Sequence, residues 1–389
     1  TATTEIYTLS LHDALPISNE GGTCKMKKRK VLAVLLCAAM TAALAVGCGG
    51  SKGSDSSDKS SDSSSSSDDV ITVGFSQVGA ESDWRTANSQ SMKDTFSKEN
   101  GYDLIFDDAQ QKQENQITAI RNFIQQEVDY ILLAPVTETG WDTVLQEAKD
   151  ADIPVIIVDR MVDVSDDSLY TTWIGTDALC EGRKAAEWLN GFAEAKGIAA
   201  SDIHIADIQG TIGSTAQIGR TKGLEEGVDK YGWDLVAQQT GEFTQAKGQE
   251  VMESMLKQYD NINVVYCEND NEAFGAIDAI EAAGKTVGSD IANGEIMVIS
   301  FDTTHAGLQD VLDGKIECDV ECNPLHGPRA EELIKKLEAG EDIDKLNYVD
   351  EEIFAHDDTV KSVKATNSLD EEKDRKSTRL NSSHHGIGD

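Results

Sequence analysis

The residues best placed to do chemistry are Asp159 and Arg160. They end the run Ile153-Pro154-Val155-Ile156-Ile157-Val158, apolar except for its proline. A continuous apolar run without alternation predicts a strand covered on both faces, as in a parallel sheet. The two charges then fall at the strand's carboxyl edge, where loops diverge into a crevice and open α/β sheets bind their ligands. A carboxylate accepts from hydroxyls and a guanidinium donates in a rigid fork, so the pair can hold adjacent hydroxyl groups. The plainer alternative is a salt-bridged loop pair with no ligand.

Other chemistry is missing from the sequence. It contains no Gly-x-x-x-x-Gly-Lys phosphate loop, no Gly-x-Ser-x-Gly elbow and no His-Glu-x-x-His zinc motif. The acidic run Asp163-Val164-Ser165-Asp166-Asp167 lacks the glycine and the distal glutamate of a calcium loop and reads as a solvated turn. No enzyme activity, cofactor or metal is therefore expected. With 34 Lys+Arg against 70 Asp+Glu and a formal net charge of -36, the chain repels phosphate backbones, and no nucleic-acid partner is expected. Of the seven cysteines, Cys180, Cys267, Cys318 and Cys322 fall in the globular part. Cys318 and Cys322 on one strand would sit ~13 Å apart at ~3.3 Å per residue, too far to bridge. Buried free thiols are the expectation.

The elements that must position Asp159 and Arg160 begin well inside the chain. Met26-Lys27-Lys28-Arg29-Lys30 and the apolar stretch after it make a secretory signal over residues 26–47. Its Leu44-Ala45-Val46-Gly47-Cys48 ending resembles a bacterial lipoprotein cleavage box, which implies a lipid on Cys48 and a membrane anchor. Residues 1–25 and 373–389 look foreign to the protein and are set aside from the fold. Residues 48–69, rich in Ser and Asp, cannot bury enough surface to offset ordering and form a tether. From Val70, strands are expected at Ile71–Phe75, Leu104–Phe106, Tyr130–Leu133 and Val155–Val158, separated by amphipathic helices. The rhythm restarts with strands at His204–Ile208, Leu235–Gln239, Val264–Tyr266, Ile296–Phe301 and Glu317–Glu321, and a short one at Tyr348–Ile353. The pattern predicts an α/β protein of two doubly wound parallel-sheet lobes with a ligand site between them. Lobe 1 is placed at residues 70–174 and 323–350, and lobe 2 at 175–322 and 351–372.

Seven segments then carry a resemblance: VGFSQVGAESDWR, DDAQQKQENQ, ILLAPVTETGWDTVLQEAKDADIPVIIVDR, IQGTIGSTAQIGRTKG, GEFTQAKGQEVMESML, CENDNEAFGAIDAIEAAG and SFDTT. In this order they resemble the pentose- and hexose-binding periplasmic proteins of ABC sugar importers, most of all the galactofuranose-binding branch. The resemblance implies a type I periplasmic-binding-protein fold with a three-crossing hinge. It implies a monomer outside the cytoplasm that captures a monosaccharide and delivers it to an ABC permease. Matched motif by motif, it assigns ligand contacts to Asp159, Arg160, Asp177, Arg220, Asn269 and Asp302. The first βα loop adds Trp84, whose face can stack on sugar C–H groups, with Glu81 and Arg85 completing the hydroxyl network. Ser82 or Asp83 can instead be only a helix cap. Val136-Thr137-Glu138 and the loop around Cys322 depart from the family pattern. The same fold also serves sugar-sensing receptors of kinases or chemoreceptors and repressor-type sensor domains; a repressor would need a basic helix-turn-helix in place of the signal and tether. A glycosidase built on paired carboxylates is a further rival, and the arginines near those carboxylates argue against it.

Overall fold

The computed structural model describes residues 70–379. The expected signal, Cys48, the tether and residues 380–389 lie outside the described residues. Among those described, no helix is long and apolar enough to cross a membrane.

Strand and helix alternate through β1 (Ile71–Gln77), α1 (Asp83–Thr95), β2 (Tyr102–Asp108), α2 (Gln113–Gln125), β3 (Tyr130–Leu133), α3 (Asp142–Asp150), β4 (Val155–Val158) and β5 (Thr172–Gly175). The chain continues with α4 (Ala178–Lys196), β6 (His204–Gln209), α5 (Thr215–Tyr231), β7 (Asp234–Thr240), α6 (Gln245–Gln258), β8 (Val264–Cys267), α7 (Asp270–Ala282), β9 (Met297–Asp302), α8 (His305–Asp313) and β10 (Cys318–Glu321). It closes with α9 (His326–Ala339), β11 (Leu346–Tyr348), β12 (Ile353–Ala355), β13 (Ser362–Thr366) and β14 (Glu372–Arg379).

Two sheets result. The first has the order β11-β5-β4-β3-β1-β2 and is parallel throughout; the second has the order β13-β14-β12-β10-β9-β8-β6-β7 and is parallel from β7 to β10. Both faces of each sheet are covered. In β3, Tyr130 and Leu132 pack with Met92, Phe96 and Leu333, whereas Ile131 and Leu133 pack with Ile120, Phe123 and Leu145. In lobe 2 the same alternation sends Val264 and Tyr266 toward Trp188 and Phe192, and Val265 and Cys267 toward Met252 and Ile280. This two-sided burial is why these strands read as unbroken apolar runs.

The chain changes lobe three times, between β5 and α4, between β10 and α9, and between β11 and β12. Two expectations need correction. The run Tyr348–Ile353 is no single strand: β11 ends at Tyr348 in the first sheet and β12 starts at Ile353 in the second, because the third crossing falls between them. Residues 373–379, set aside above, form most of β14, which pairs with β12 and β13. Whatever its origin, that segment is part of the second sheet. Cys180, Cys267, Cys318 and Cys322 are buried free thiols.

Candidate functional site

At the carboxyl edge of β4 the backbone turns sharply. Asp159 has φ of +66°, a conformation that costs a non-glycine residue about 1–3 kcal/mol. It is fixed by its own amide bonding Ile174 O at 2.8 Å and by the Trp173 indole bonding Asp159 O at 3.0 Å. Gly175 completes the turn, since a Cβ there would lie 2.2 Å from the Asp159 carbonyl oxygen. Asp302, at the end of β9, has φ of +107°. The same strained aspartate thus ends one strand in each lobe and faces the crevice between them.

On the lobe 1 side four charged groups interlock. Arg85, from the first turn of α1, donates to Glu81 at 3.0 Å, Gln77 at 3.2 Å and Asp159 at 2.7 Å. Burial alone would lower the Arg85 guanidinium; the carboxylates of Asp159 and Glu81 more than reverse that and hold it above its usual value. Burial likewise works to raise Asp159, but Arg85 and Arg160 outweigh it and keep its carboxyl below the usual range. Arg160 differs from Arg85. It donates to Val136 O at 2.9 Å, while Glu81 and Asp159 stand at 3.7 and 4.0 Å, too far for hydrogen bonds. Burial, then the charge of Arg85, pushes Arg160 down to about 10. Arg85 therefore positions the carboxylates, and Arg160 keeps free donors at the cleft. Glu81 keeps a buried oxygen, Oε2, with no partner.

Lobe 2 presents Arg220, Asn269 and Asp302. Arg220 is held by Glu181 at 2.8 Å and by Glu268 O, and reaches Asp302 at 3.4 Å. Burial raises the Asp302 carboxyl well above its usual range, with Arg220 opposing. Asn269 caps α7 by accepting from Glu272 N and donates to Phe243 O at 3.2 Å, so part of its capacity is already used. Ser82, at the mouth, caps α1 by accepting from Arg85 N.

Two aromatic rings complete the walls. Trp84 lines the cleft with its indole N–H bonded to Cys322 O at 2.6 Å. Phe243 is a residue that sequence reasoning missed. It and Glu242 both adopt left-handed backbone, held by the Phe243 amide bonding buried Glu272 at 2.8 Å. Its ring lies against Gly210, where a Cβ would fall 1.9 Å from the ring, and under the Arg160 guanidinium at 5.2 Å. An aromatic just beyond the end of β7, in GEFT, was the available signal. Glu81, Trp84, Asp159, Arg160, Phe243 and Asp302, with their neighbours, line a narrow cavity; about 300 Å³ in and around it is free of protein atoms, its opening to solvent included.

Asp177 does not belong to this cleft. It caps α4, accepting from Cys180 N at 3.0 Å and from the amide and hydroxyl of Ser368, each at 2.7 Å. The correction has a simple cause: an aspartate after a strand serves equally as a helix cap. Of the nine residues assigned to the ligand, the structure brings Glu81, Trp84, Arg85, Asp159, Arg160, Arg220, Asn269 and Asp302 together around one cavity.

A two-lobed α/β protein that buries both donors and acceptors around a cavity between its lobes is built to enclose a solute. The chain belongs to the periplasmic binding protein family, whose domain model matches residues 73–341. These are non-enzymatic solute-binding proteins that work outside the cytoplasm, with the type I fold. The galactofuranose-binding protein YtfQ of Escherichia coli K12 is 40% identical over 292 residues, covering 74% of this chain and 88% of its own length. A solved structure from Mycobacterium smegmatis, in complex with β-D-fucofuranose, is 46% identical with a TM-score of 0.69, covering 74% of this chain and 92% of that one. The periplasmic binding protein of the arabinose ABC transporter from Shewanella sp. ANA-3, bound to α- and β-L-arabinofuranose, is 44% identical with a TM-score of 0.68, covering 73% and 92%.

Proposed function

We propose that this protein captures a neutral monosaccharide in its furanose form, of the galactofuranose type, and hands it to an ABC permease, anchored outside the cytoplasm by a lipid on Cys48. The observation that carries the sugar is the charge balance of the cleft. Arg85 and Arg160 match Glu81 and Asp159 in lobe 1, and in lobe 2 Arg220 is matched by Glu181, while burial pushes the Asp302 carboxyl toward its neutral form. An ionic ligand would upset that balance in a buried place, whereas hydroxyls can accept from the guanidinium groups and donate to the carboxylates. Trp84 and Phe243 offer apolar surface to the C–H side of a small ring. The ring form is supported by the relatives whose names and complexes specify furanoses.

Titration calorimetry of galactose, arabinose, ribose and fucose against the purified chain tests the ligand class. Carbon-13 spectra of the bound sugar, labelled at the anomeric carbon, test the ring form. Binding of one sugar with a furanose anomeric signal is the expected result. A pyranose signal would remove the ring form; no heat from any sugar would remove the sugar itself.

A further inference from the structure

The lobes also touch each other directly, beyond the cavity, through polar bonds that no ligand makes. On one flank, Thr215 at the start of α5 accepts from the Met161 amide of lobe 1 at 2.7 Å. Its hydroxyl also faces the Glu138 carboxyl of lobe 1 and opposes the upward push of burial on that group, and the Glu138 amide donates to Gly213 O of lobe 2 at 3.0 Å. A hydroxyl accepts as well as donates, and the accepting side of Thr215 is taken by the opposite lobe. On the other flank, Asn271 of α7 accepts from the Asp83 amide of α1 at 3.0 Å. That amide is one of the first-turn donors which a helix leaves without an internal partner. None of these residues lines the cavity.

Both halves are preformed within their own lobes. The Thr137–Glu138 segment is pinned by the Trp141 indole bonding Thr137 O at 2.7 Å and by the Asp163 amide bonding Glu138 O at 2.7 Å. The Gly213–Thr215 turn is pinned by the Ser214 amide on Thr211 O and by Gln217 accepting from the Gly213 amide. Closing therefore joins two rigid, complementary edges. The Val136-Thr137-Glu138 stretch, which departs from the family pattern, is one of them.

We propose that Glu138, Met161, Thr215, Asp83 and Asn271 form a two-point clasp that holds the lobes shut and sets affinity without touching the ligand. The proposal rests on the cleft being a ligand site that closes. A ligand's apparent affinity scales with the fraction of protein in the binding-competent state. A contact made only on closing thus raises affinity for every ligand by one common factor. Contacts inside the cavity alter each ligand differently.

The test uses the full chain carrying Thr215→Val and Asn271→Ala, singly and together. Neither substitution removes a helix cap, since Ser214 and Asn269 keep those roles. In the closed state each leaves a part-buried amide without its partner, while in the open state water satisfies it fully, so the bias falls on closure. Each variant is expected to raise Kd about tenfold, by the same factor for every sugar that binds, with the unfolding midpoint unchanged and with Thr215→Ser restoring wild-type affinity. Distances between spin labels on the two lobes, taken with and without sugar, should shift toward open in the double variant. An unchanged Kd, or a loss that differs from sugar to sugar, overturns the clasp. If no sugar binds the wild type, the furanose proposal fails and the spin-label distances of the free protein decide alone: identical distributions in wild type and double variant overturn the clasp.

Discussion

Replacing Arg160 with methionine separates ligand binding from framework more sharply than any other substitution in the cleft. A guanidinium carries five N–H donors. Here one nitrogen serves Val136 O at 2.9 Å, and the nearest carboxylate oxygens stand at 3.7 and 4.0 Å from the others. At least two donors are thus left for ligand hydroxyls. Hydrogen bonds to a charged group contribute about 1.5–3 kcal/mol each, so losing two weakens binding by roughly 3–6 kcal/mol, or about 10²–10⁴ in Kd. Methionine keeps the stem packed against Phe243. Arg85→Met is the control, because all three Arg85 bonds run to its own lobe. Removing it leaves Asp159 and Glu81 short of a partner and should destabilise lobe 1 by about 3–5 kcal/mol. Calorimetric titration and thermal unfolding of both variants decide the matter. Arg160→Met binding within about threefold of wild type, or Arg85→Met losing affinity with no loss of stability, would refute the division of roles.

Two further predictions follow from burial. Gly210→Ala places a methyl where the Phe243 ring now sits, so the ring must leave the cleft; we expect affinity to fall by at least tenfold with lobe 2 still folded, and unchanged binding would mean that Phe243 touches no ligand. Stability should fall as pH rises. Burial holds Asp270 at about 6, Glu317 at about 7 and Asp207 at about 8, and lifts Glu351 well above the usual range. These native values exceed the unfolded ones, so the folded chain binds more protons, and the resulting stability is full below the ordinary carboxylate range and is lost as pH climbs through each raised value. Unfolding midpoints from pH 5 to 9 should decline, by about 1.4 kcal/mol per pH unit for each proton retained, and Glu351→Gln should remove part of the slope, so that its stability relative to wild type improves as pH rises. A midpoint that climbs over that range would contradict the burial account.

Much of this architecture was legible because two-sided burial leaves a strong trace. Val155–Val158 reads as a covered strand, and its abrupt end in Asp159-Arg160 points to the carboxyl edge of a sheet. What the sequence could not separate was function among like residues at like positions. Asp159, Asp177 and Asp302 all follow strands, yet Asp177 caps a helix while the others face the cleft. Arg85 and Arg160 look interchangeable until distances show all three nitrogens of the first bonded within its own lobe and only one nitrogen of the second bonded at all. Thr215 and Asn271 sit where capping residues sit, and only the apposition of the lobes gives them partners. Phe243 stayed hidden because an aromatic in a loop usually belongs to the core, and because its left-handed backbone depends on Glu272, distant in sequence.

The hinge ties these parts together. Thr176, on the first crossing, has its hydroxyl within hydrogen-bonding reach of two carboxyls, Glu181 at 2.5 Å and Glu351 on the third crossing. One hydroxyl hydrogen cannot serve both, so one carboxyl brings a proton of its own. Burial, and next to it the charge of Glu181, raises Glu351 well above its usual range. The contacts run on from there: Thr176 bonds both Glu351 and Glu181, and Glu181 pairs with Arg220, which reaches Asp302 in the cleft. The second crossing joins at both ends, because the Asn323 amide donates to Glu351 at 2.8 Å and Cys322 O accepts from Trp84. All three crossings are therefore bonded into the network that orients the lobe 2 arginine and the lobe 1 indole. A rotation at the hinge must alter the reach of both groups, which is why closing the lobes and completing the ligand site are one event in this fold rather than two.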